Sequence, residues 1–307
     1  MDPVNLAPSD DFNSHRSVYQ IVTEQVIRQL ESGVAPWRKP WRTDVPMSLA
    51  SLKPYRGLNV LLLASQGYAS RYWLTFNQAA KIGGHVKKGE HGTIVSFWKI
   101  GEYEQKDTGE KRDSFLLRYY RVFNLEQTEG IAEKLGLDKP EPRVPFIETC
   151  EQIVAKMPQR PRMEDSNAAW YRPLTDTVGM PNKQKFGTAE SYYATLFHEL
   201  AHSTGHPSRV GREGMENVNS FASDSYSKEE LVAEMSSAFL CGVSGISPAV
   251  IGQSAAYLRS WISRLKGDSR LLISAASAAQ KASDYILGKA NVPSERLQDC
   301  DSRDDCQ

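Results

Sequence analysis

Five consecutive residues, His198-Glu199-Leu200-Ala201-His202, constrain the fold of this 307-residue chain more than any other feature. Residues four apart lie on the same face of an α-helix, so a helix here would set two imidazoles one turn apart, where both can bind one metal ion. The glutamate between them would lie beside that ion and could take a proton from water. The motif therefore predicts a helical divalent-metal site with Glu199 as its general base.

The residues around the motif predict the helix that it requires. Thr188 is suited to the N-cap position, and Gly205 is suited to the stop after the last turn. Apolar side chains recur between them at helical spacing, which is typical of a helix with one buried face. These positions are Tyr193, Leu196, Phe197, Leu200 and Ala201.

A catalytic zinc ion has three protein ligands and one open position, so a third ligand must come from elsewhere in the chain. Metzincins supply a third histidine, in the pattern H-E-x-x-H-x-x-G-x-x-H. Here Gly205 matches that pattern, but Ser208 stands where the histidine should be, and the next histidine is His206. This departure argues against a metzincin.

The alternative third ligand is a glutamate on a following helix. Ser227 and Glu230 have the spacing of a capping box, which predicts a helix starting there. Glu230 and Glu234 are four residues apart and share a face, which resembles the E-x-x-x-D/E pattern of gluzincins. We expect Glu230 to bind the metal and Glu234 to orient a histidine ligand through its far ring nitrogen. Glu229 is a close alternative to Glu230, because one residue of helix register decides between them.

These residues together predict a zinc-dependent peptidase, although two histidines and a carboxylate also suit Mn²⁺ or another divalent metal. Glu199 would accept a proton from water and return it to the leaving amine. An oxyanion donor is also expected, and Tyr226, His206 and Tyr257 are the candidates. Upstream, Thr177 to Met180 is predicted to be the edge strand that pairs with an extended peptide.

The composition excludes several classes of protein. Lys and Arg number 37 and Asp and Glu also number 37, which argues against a uniformly basic nucleic-acid binder and against an acidic mimic of DNA. No apolar run approaches the roughly 18 residues that a membrane span needs, and the N-terminus lacks the apolar core of a signal peptide. The four cysteines have no metal-binding spacing, which favours free thiols. We therefore expect a cytoplasmic protein with no membrane partner.

Basic and aromatic residues are concentrated in the N-terminal half. From Arg16 to Lys99 there are twelve Lys and Arg residues against four acids, and aromatic residues alternate with these bases. Bases attract phosphates and aromatic faces stack on nucleobases, a combination typical of single-strand binding. The alternative is that the aromatic residues form a core and the bases a solvated face.

The predicted elements of this half are mixed. Val18 to Leu30 and Phe76 to Lys81 have helical periodicity, while Leu58 to Leu63 could form a helix or a strand. A strand after Lys87-Lys88 is expected to pair with a second strand, Phe115 to Phe123, across the charged segment 102–112. The sequence thus predicts an α+β domain that carries a sheet.

Two groups of motifs resemble a known family. In the N-terminal half they are residues 34–41 (VAPWRKPW), 55–59 (YRGLN) and 73–92; in the C-terminal half they are residues 193–206 and 229–234. They resemble, in the same order, the N-terminal domain and the zincin-like domain of ArdC-type antirestriction proteins. Plasmid TraC-type primases share the N-terminal domain. The resemblance covers about residues 15–290.

The resemblance implies a single-stranded-DNA-binding domain joined to a metallopeptidase-like domain, in proteins that protect incoming conjugative plasmid DNA from host restriction. Carried over, the metal ligands fall on His198, His202 and either Glu229 or Glu230, with Glu199 catalytic. The implied partners are single-stranded DNA and a protein substrate, for which the host restriction machinery is a candidate. We predict DNA contacts at Trp37, Lys39, Arg42, Tyr55, Arg56, Trp73, Lys87 and Lys88.

The expected organisation has five parts. A disordered arm (1–14) precedes a small α+β single-stranded-DNA-binding domain (15–128), a linker (129–145), a mostly helical zincin-like domain with a short sheet (146–290) and a disordered tail (291–307). The alternative function is a protein that coats single strands or binds the restriction enzyme, with a zincin domain that is structural rather than proteolytic.

Overall fold

The computed structural model of this chain describes residues 17–38, 45–104, 111–137, 146–212, 224–246 and 255–289. Helices and small sheets are mixed, which confirms the predicted α+β class. The predicted arm of residues 1–14, the predicted tail of residues 291–307 and part of the predicted linker 129–145 lie outside the described residues.

Two of the four helices that the structure describes in the N-terminal half begin at side-chain capping boxes, formed by Ser17 and by Thr75. In α1, the Ser17 hydroxyl accepts the backbone N–H of Gln20, whose side chain accepts the Ser17 N–H in return. Residues 58–63, which the sequence leaves open between helix and strand, are helical and almost entirely buried. The helices are α1 (Val18–Glu31), α2 (Leu58–Ala64), α3 (Phe76–Lys81) and α4 (Ala132–Leu135).

A four-stranded sheet packs against α2, in the order β1-β2-β5-β4. Its longest pairing is the predicted antiparallel hairpin of β4 and β5, in which Thr93 pairs with Val122. One face of the sheet contributes Val95 and Val122 to a small core with Trp73 and Leu63. The strands of this half are β1 (Met47–Ser48), β2 (Tyr72–Leu74), β3 (His85–Val86), β4 (Thr93–Glu104), β5 (Lys111–Asn124) and β6 (Thr128–Glu129), with β3 and β6 paired separately.

The C-terminal half places a short sheet beside a group of helices. Helix α6 packs against α7, and α7 packs against α9, so the helix that contains the HExxH motif has neighbours on several sides. Phe197 and Leu200 of α6 are fully buried in this core. The elements are α5 (Phe146–Lys156), β7 (Arg162–Asp165), β8 (Trp170–Arg172), β9 (Thr177–Met180), α6 (Ala189–Ser203), α7 (Asp224–Ser244), α8 (Ala255–Gly267) and α9 (Leu271–Ile286).

The prediction that Thr177 to Met180 is an edge strand is wrong. Strand β9 is the central strand of the order β7-β9-β8, with β7 parallel on one side and β8 antiparallel on the other. Because both sides of β9 are already hydrogen-bonded to neighbouring strands, β9 has no unpaired edge to which a peptide could bind. Its four residues are all buried, which explains why an apolar run without alternation marks a central strand here.

The two predicted domains share one hydrophobic core. Val26 and Leu30 of α1 lie in the same buried cluster as Trp261 and Leu265 of α8. Helix α2 packs against α9 in that cluster, so the N-terminal and C-terminal halves stabilise each other. None of the helices in the described ranges is both long and apolar enough to cross a membrane.

A buried ion pair fixes the segment that follows the HExxH helix. The Arg209 guanidinium, 1% exposed, donates two hydrogen bonds to Asp176 at 2.8 and 2.6 Å, and Tyr171 donates a third at 3.0 Å. Arg209 also donates to the Ser203 carbonyl at the end of α6. Asp176 has a left-handed φ of 46° at the turn before β9, so the pair ties that turn to the end of α6.

We expect Asp176→Ala to lower the free energy of unfolding by about 2–4 kcal/mol, because it leaves Arg209 buried without its carboxylate. Asp176→Asn is the matched control: it tolerates the left-handed φ and retains an acceptor for Tyr171, so we expect a smaller loss. Urea unfolding of both variants tests this.

Partial burial alone would raise the pKa of the Asp176 carboxyl, but Arg209 and Tyr171 hold it below its usual value. The stabilisation should therefore be lost as the pH falls through that lowered pKa. Equal stability of all three proteins would contradict the prediction.

Candidate metal centre

Helix α6 presents the two histidines of the HExxH motif to one point. It begins as predicted at Thr188, whose hydroxyl accepts the Ser191 N–H at 3.1 Å, and its apolar face is buried in the core. With that face fixed, His198 and His202 lie one turn apart, and their Nε2 atoms are 3.1 Å apart. Two nitrogen donors therefore point at one position.

Helix α7 supplies a third donor to the same position. Of the two Glu230 carboxylate oxygens, Oε2 lies 3.6 Å from Nε2 of His198 and Oε1 lies 3.5 Å from Nε2 of His202. The capping box predicted for Ser227 and Glu230 is wrong, because α7 begins earlier, at Asp224, and Ser227 lies inside the helix. The Glu230 side chain therefore faces the histidines rather than a helix end.

The donor set fits a divalent metal ion. One atom from each of His198, His202 and Glu230 lies within 4.8 Å of the others. Ligand bonds of about 2.0–2.2 Å in a tetrahedron would separate donor atoms by about 3.4 Å. The 3.1 Å between the two Nε2 atoms is close to that value, and so are the 3.6 Å from Oε2 of Glu230 to His198 and the 3.5 Å from Oε1 of Glu230 to His202, which end on different oxygens of one carboxylate. Two imidazoles and one carboxylate would leave a fourth position open for water or substrate.

Glu229 and Glu230 contact different atoms. These contacts indicate which of the two glutamates faces the candidate metal position. Oε1 of Glu229 lies 3.3 Å from Nδ1 of His202, the ring nitrogen on the far side from Glu230. Arg212 donates to both oxygens of Glu229, at 2.8 and 2.5 Å. Glu229 thus orients His202 and favours the tautomer whose Nε2 is free to bind a metal, while Glu230 is placed to be the ligand.

The orienting role predicted for Glu234 is wrong, since Glu229 fills it. Glu234 instead accepts two hydrogen bonds from Arg38 and one from the Tyr257 hydroxyl. The i and i+4 spacing did place Glu230 and Glu234 on one face of α7. The face is wide enough, however, for each to meet a different neighbour.

Burial and nearby charge tune the ionisation of this site. Glu199 is 8% exposed, and burial raises its pKa to about 7; the carboxylate of Glu230 adds to the rise and His202 opposes it. Burial, then His202 and Arg38, hold the pKa of His198 well below its usual value, which favours the neutral imidazole that binds metals. A carboxyl with a pKa near neutrality is suited to take and return a proton.

The three candidate oxyanion donors are in different situations. The Tyr257 hydroxyl donates to Glu234 at 2.5 Å and accepts the Trp37 indole N–H at 3.0 Å, so its proton is already committed. Nδ1 of His206 lies 2.8 Å from the Ser208 hydroxyl. The side chain of Tyr226 lies outside the described residues. Of the three candidates, Tyr257 is the one that its hydrogen bonds argue against.

The predicted DNA contacts that the structure describes differ in their exposure to solvent. Trp37 and Trp73 are each 1% exposed, so the prediction that they stack on bases is wrong: an indole sealed in a core has no open face. Lys87 and Lys88 are exposed. Tyr55 and Arg56 are partly buried, and Arg56 pairs with Asp284. Lys39 and Arg42 lie outside the described residues.

Arg212 and Arg38 are site residues that the sequence analysis missed. Arg212 also donates to the carbonyl of Ala201 and the hydroxyl of Thr204, so it caps the end of α6 as well as holding Glu229. No motif marks it, because its partners lie on two helices and meet only in the fold. The sequence marked Arg38 only as part of the basic segment 34–41, which was interpreted as DNA-binding and not as part of the metal centre.

We expect Glu229→Ala to weaken metal affinity by about 10–100-fold, the usual cost of removing a group that orients a histidine ligand. Glu229→Gln should cost less, since an amide oxygen can still accept from Nδ1 of His202. Calorimetric titration of the metal-stripped protein with Zn²⁺ or Mn²⁺ measures both. Unchanged affinity in Glu229→Ala would show that His202 needs no partner to orient it.

Each half of the chain matches a known protein family. Residues 16–123 match the family described as the N-terminal domain of anti-restriction factor ArdC, and residues 148–278 match the family described as zincin-like metallopeptidase. The chain is 37% identical over 292 residues to DNA primase TraC of Escherichia coli, a match that covers 88% of this chain and 27% of that protein. It therefore spans about a quarter of that primase. It is 34% identical to protein y4eC of Sinorhizobium fredii, covering 88% of this chain and 91% of that protein.

Two solved structures are also similar at 37% sequence identity. The metal-free crystal structure of the antirestriction ArdC protein from the R388 plasmid matches with a TM-score of 0.73, over 89% of this chain and 98% of that chain. The Mn(II)-bound structure of the same protein matches with a TM-score of 0.69, over 90% of this chain and 100% of that chain. The chain belongs to the ArdC antirestriction family, with an ArdC N-terminal domain followed by a zincin-like metallopeptidase domain.

Proposed function

We propose that this protein is a divalent-metal-dependent peptidase that binds single-stranded DNA and protects incoming plasmid DNA from restriction. The observation that carries the peptidase is the convergence of His198, His202 and Glu230 on one point, beside the buried Glu199. Zinc is the metal we propose first, and Mn²⁺ is the alternative that the Mn(II)-bound relative supports.

The residues of the site have separate tasks in this proposal. A divalent ion held by His198, His202 and Glu230 would polarise a peptide carbonyl and acidify water. Glu199, as the carboxylate, accepts a proton from the attacking water and then delivers it to the leaving amine. Glu229 and Arg212 keep the His202 ring fixed while this happens.

An extended peptide needs a strand to pair with, and β8 is the strand we propose. It is an edge of the order β7-β9-β8, it runs antiparallel to β9, and it packs against α6. Its free side would offer backbone N–H and C=O groups to a substrate strand. Trp170 lies over Gly179 of β9, where an added Cβ would come within 2.3 Å of the indole, so glycine there seats the ring.

The DNA-binding proposal rests on exposed groups of the N-terminal half. Among the predicted contacts that the structure describes, the exposed bases are Lys87 and Lys88. Two aromatic residues outside that set are open to solvent: Phe76 is 59% exposed and Trp98 is 39% exposed. They are better placed to stack on bases than Trp37 or Trp73, and Arg121 is exposed on the same sheet as Trp98.

The experiment that tests the function combines the two activities. Full-length protein is loaded with Zn²⁺ or Mn²⁺ and incubated with candidate protein substrates, with and without a single-stranded oligonucleotide, and products are identified by mass spectrometry. Metal-dependent cleavage that a chelator abolishes supports the peptidase. No cleavage with either metal, together with intact DNA binding, would instead favour a protein that coats the single strand.

We expect Lys87→Ala with Lys88→Ala to weaken single-strand affinity and to lower the salt slope by about 1.4, because each phosphate that a lysine neutralises on a single strand contributes about 0.7 to that slope. Lys156→Ala with Lys281→Ala is the matched control, because both of these lysines are exposed on the C-terminal half. Fluorescence anisotropy of a labelled oligonucleotide at several salt concentrations measures affinity and slope. An unchanged slope in the first variant would remove these lysines from the DNA surface.

A further inference from the structure

A polar network lies on α7 one turn from the proposed metal ligand Glu230. Arg38 donates from Nε to Oε2 of Glu234 at 3.2 Å and from Nη2 to Oε1 at 2.8 Å. The Tyr257 hydroxyl donates to the same carboxylate at 2.5 Å, and the Trp37 indole N–H donates to that hydroxyl at 3.0 Å. The Arg38 guanidinium also stacks over the Tyr257 ring, 4.1 Å from its centroid. Arg38, Glu234 and Tyr257 therefore each hold the other two.

The members of this network come from distant parts of the chain. Trp37 and Arg38 belong to the 3₁₀ turn Pro36–Arg38 of the N-terminal half, Glu234 to α7 and Tyr257 to α8. The side chains of Arg38 and Glu234 are 17% and 10% exposed, and Trp37 is 1% exposed. A two-pronged ion pair shielded from water in this way has a defined geometry, unlike an ion pair on the surface.

The position of the network matters because Glu234 and Glu230 share one face of α7. The two hydrogen bonds from Arg38 to Glu234, called the fork below, fix the rotation of α7 and its position along the helix axis against the N-terminal turn. Arg38 also lies close enough for its charge to act on both His198 and Glu230. The two hydrogen bonds from Arg38 therefore tie the helix face that carries Glu230 to the N-terminal half.

We propose that Arg38 is a positioning residue of the metal centre: its fork to Glu234, locked by Tyr257 and Trp37, holds α7 where Glu230 can reach the two histidines. The N-terminal half thereby completes a metal site whose ligands all come from the C-terminal half. The inference depends on the proposed function only for the assignment of His198, His202 and Glu230 as ligands.

Charge alone and positioning predict opposite results for the removal of Arg38. If Arg38 acted only through its charge, Arg38→Met would remove a repulsion and tighten the binding of a dication. If it positions α7, the same change frees Glu234, releases the face that carries Glu230 and weakens binding. We expect weakening by at least about tenfold, the lower end of the effect of groups that orient metal ligands.

The test is calorimetric titration of metal-stripped, full-length variants with Zn²⁺ and with Mn²⁺. Arg38→Met should lose at least about tenfold in affinity, and Arg38→Lys should lose part of it because an ammonium keeps the charge but not the fork. Tyr257→Phe removes the hydroxyl with little change in volume and should also weaken binding. If Arg38→Met does not fold, the metal affinity of Tyr257→Phe still tests the proposal.

Arg56→Met is the matched control, since Arg56 also lies in the N-terminal half and pairs with a carboxylate of the C-terminal half, Asp284 of α9. Its metal affinity should equal that of the wild type. Equal losses in Arg56→Met and Arg38→Met would overturn the proposal, because the effect would then be general docking of the two halves. Wild-type affinity in Arg38→Met and Tyr257→Phe would overturn it too.

The same titration separates this inference from the proposed function. A wild-type protein that binds neither metal would refute the metal centre and the role of Arg38 together. A wild-type protein that binds metal normally, beside an Arg38→Met variant that binds equally well, would refute the role of Arg38 alone. Because the readout is metal affinity, neither result depends on finding the peptide substrate.

Discussion

Glu199→Gln is expected to lose peptide hydrolysis by a factor of about 10²–10⁴, the usual contribution of a general acid–base, while binding metal as the wild type does. The amide matches the shape of the carboxyl group but cannot accept the proton of the attacking water. It also avoids leaving a cavity at a position that is 8% exposed. Rates of peptide cleavage and metal titrations on the same preparations measure both effects.

Glu190→Gln is the matched control, because Glu190 lies in the first turn of the same helix, far from the histidines. It should cleave at the wild-type rate. In the wild type, hydrolysis should rise with pH as Glu199 ionises. Its pKa is about 7 without metal, and a nearby dication favours the carboxylate, so the rise should fall at or below about pH 7. Cleavage by Glu199→Gln at the wild-type rate would rule out this residue as the base.

The same variant decides whether proteolysis is needed for antirestriction. Plasmid entry into a restricting host can be compared for cells that carry the wild-type protein, Glu199→Gln or neither. We expect protection to be lost with Glu199→Gln. Full protection by that variant would show that DNA or protein binding is sufficient, and that the zincin domain serves as a scaffold.

The candidate metal centre could be predicted from the sequence because most of its geometry is local. The spacing of His198 and His202 within one helix sets their separation, and the apolar positions of α6 determine which face is buried. The same reasoning found Glu230 but could not choose between it and Glu229, since a single residue of register separates them. Arg212 makes that choice by pairing with Glu229, and its position depends on the loop after α6.

The proposed DNA contacts were harder to predict because tryptophan has two roles that look alike in a sequence. Trp73 lies on strand β2 between basic residues, yet it packs against Leu63 of α2 and Val95 of β4. An aromatic residue among bases is buried or exposed according to which helix covers the sheet. That helix, α2, was itself ambiguous in the sequence. The exposure of Phe76 and Trp98 likewise depends on which side chains the fold packs beside them.

Cutting the chain within the predicted linker 129–145 is expected to give two fragments that do not fold separately. Half of the buried residues in the largest hydrophobic cluster come from residues 22–64 and the other half from residues 231–279. Exposing a fully buried large apolar side chain costs about 1.5–3 kcal/mol, and whole domains have stabilities of about 5–15 kcal/mol. Residues 22–64 contribute nine large apolar side chains to the cluster and residues 231–279 contribute seven, so the loss of either set is comparable with or larger than that margin.

Fragments 17–137 and 146–289 can each be produced alone and then mixed, and thermal unfolding can be followed by near-ultraviolet circular dichroism. Neither fragment alone should show a cooperative transition, and an equimolar mixture should regain one. A cooperative transition in fragment 146–289 alone would mean that α7, α8 and α9 have a sufficient core without α1 and α2. If neither fragment folds alone, the proposed metal binding and DNA binding are properties of one folded unit. A DNA-binding titration of the N-terminal fragment by itself would then measure an unfolded chain.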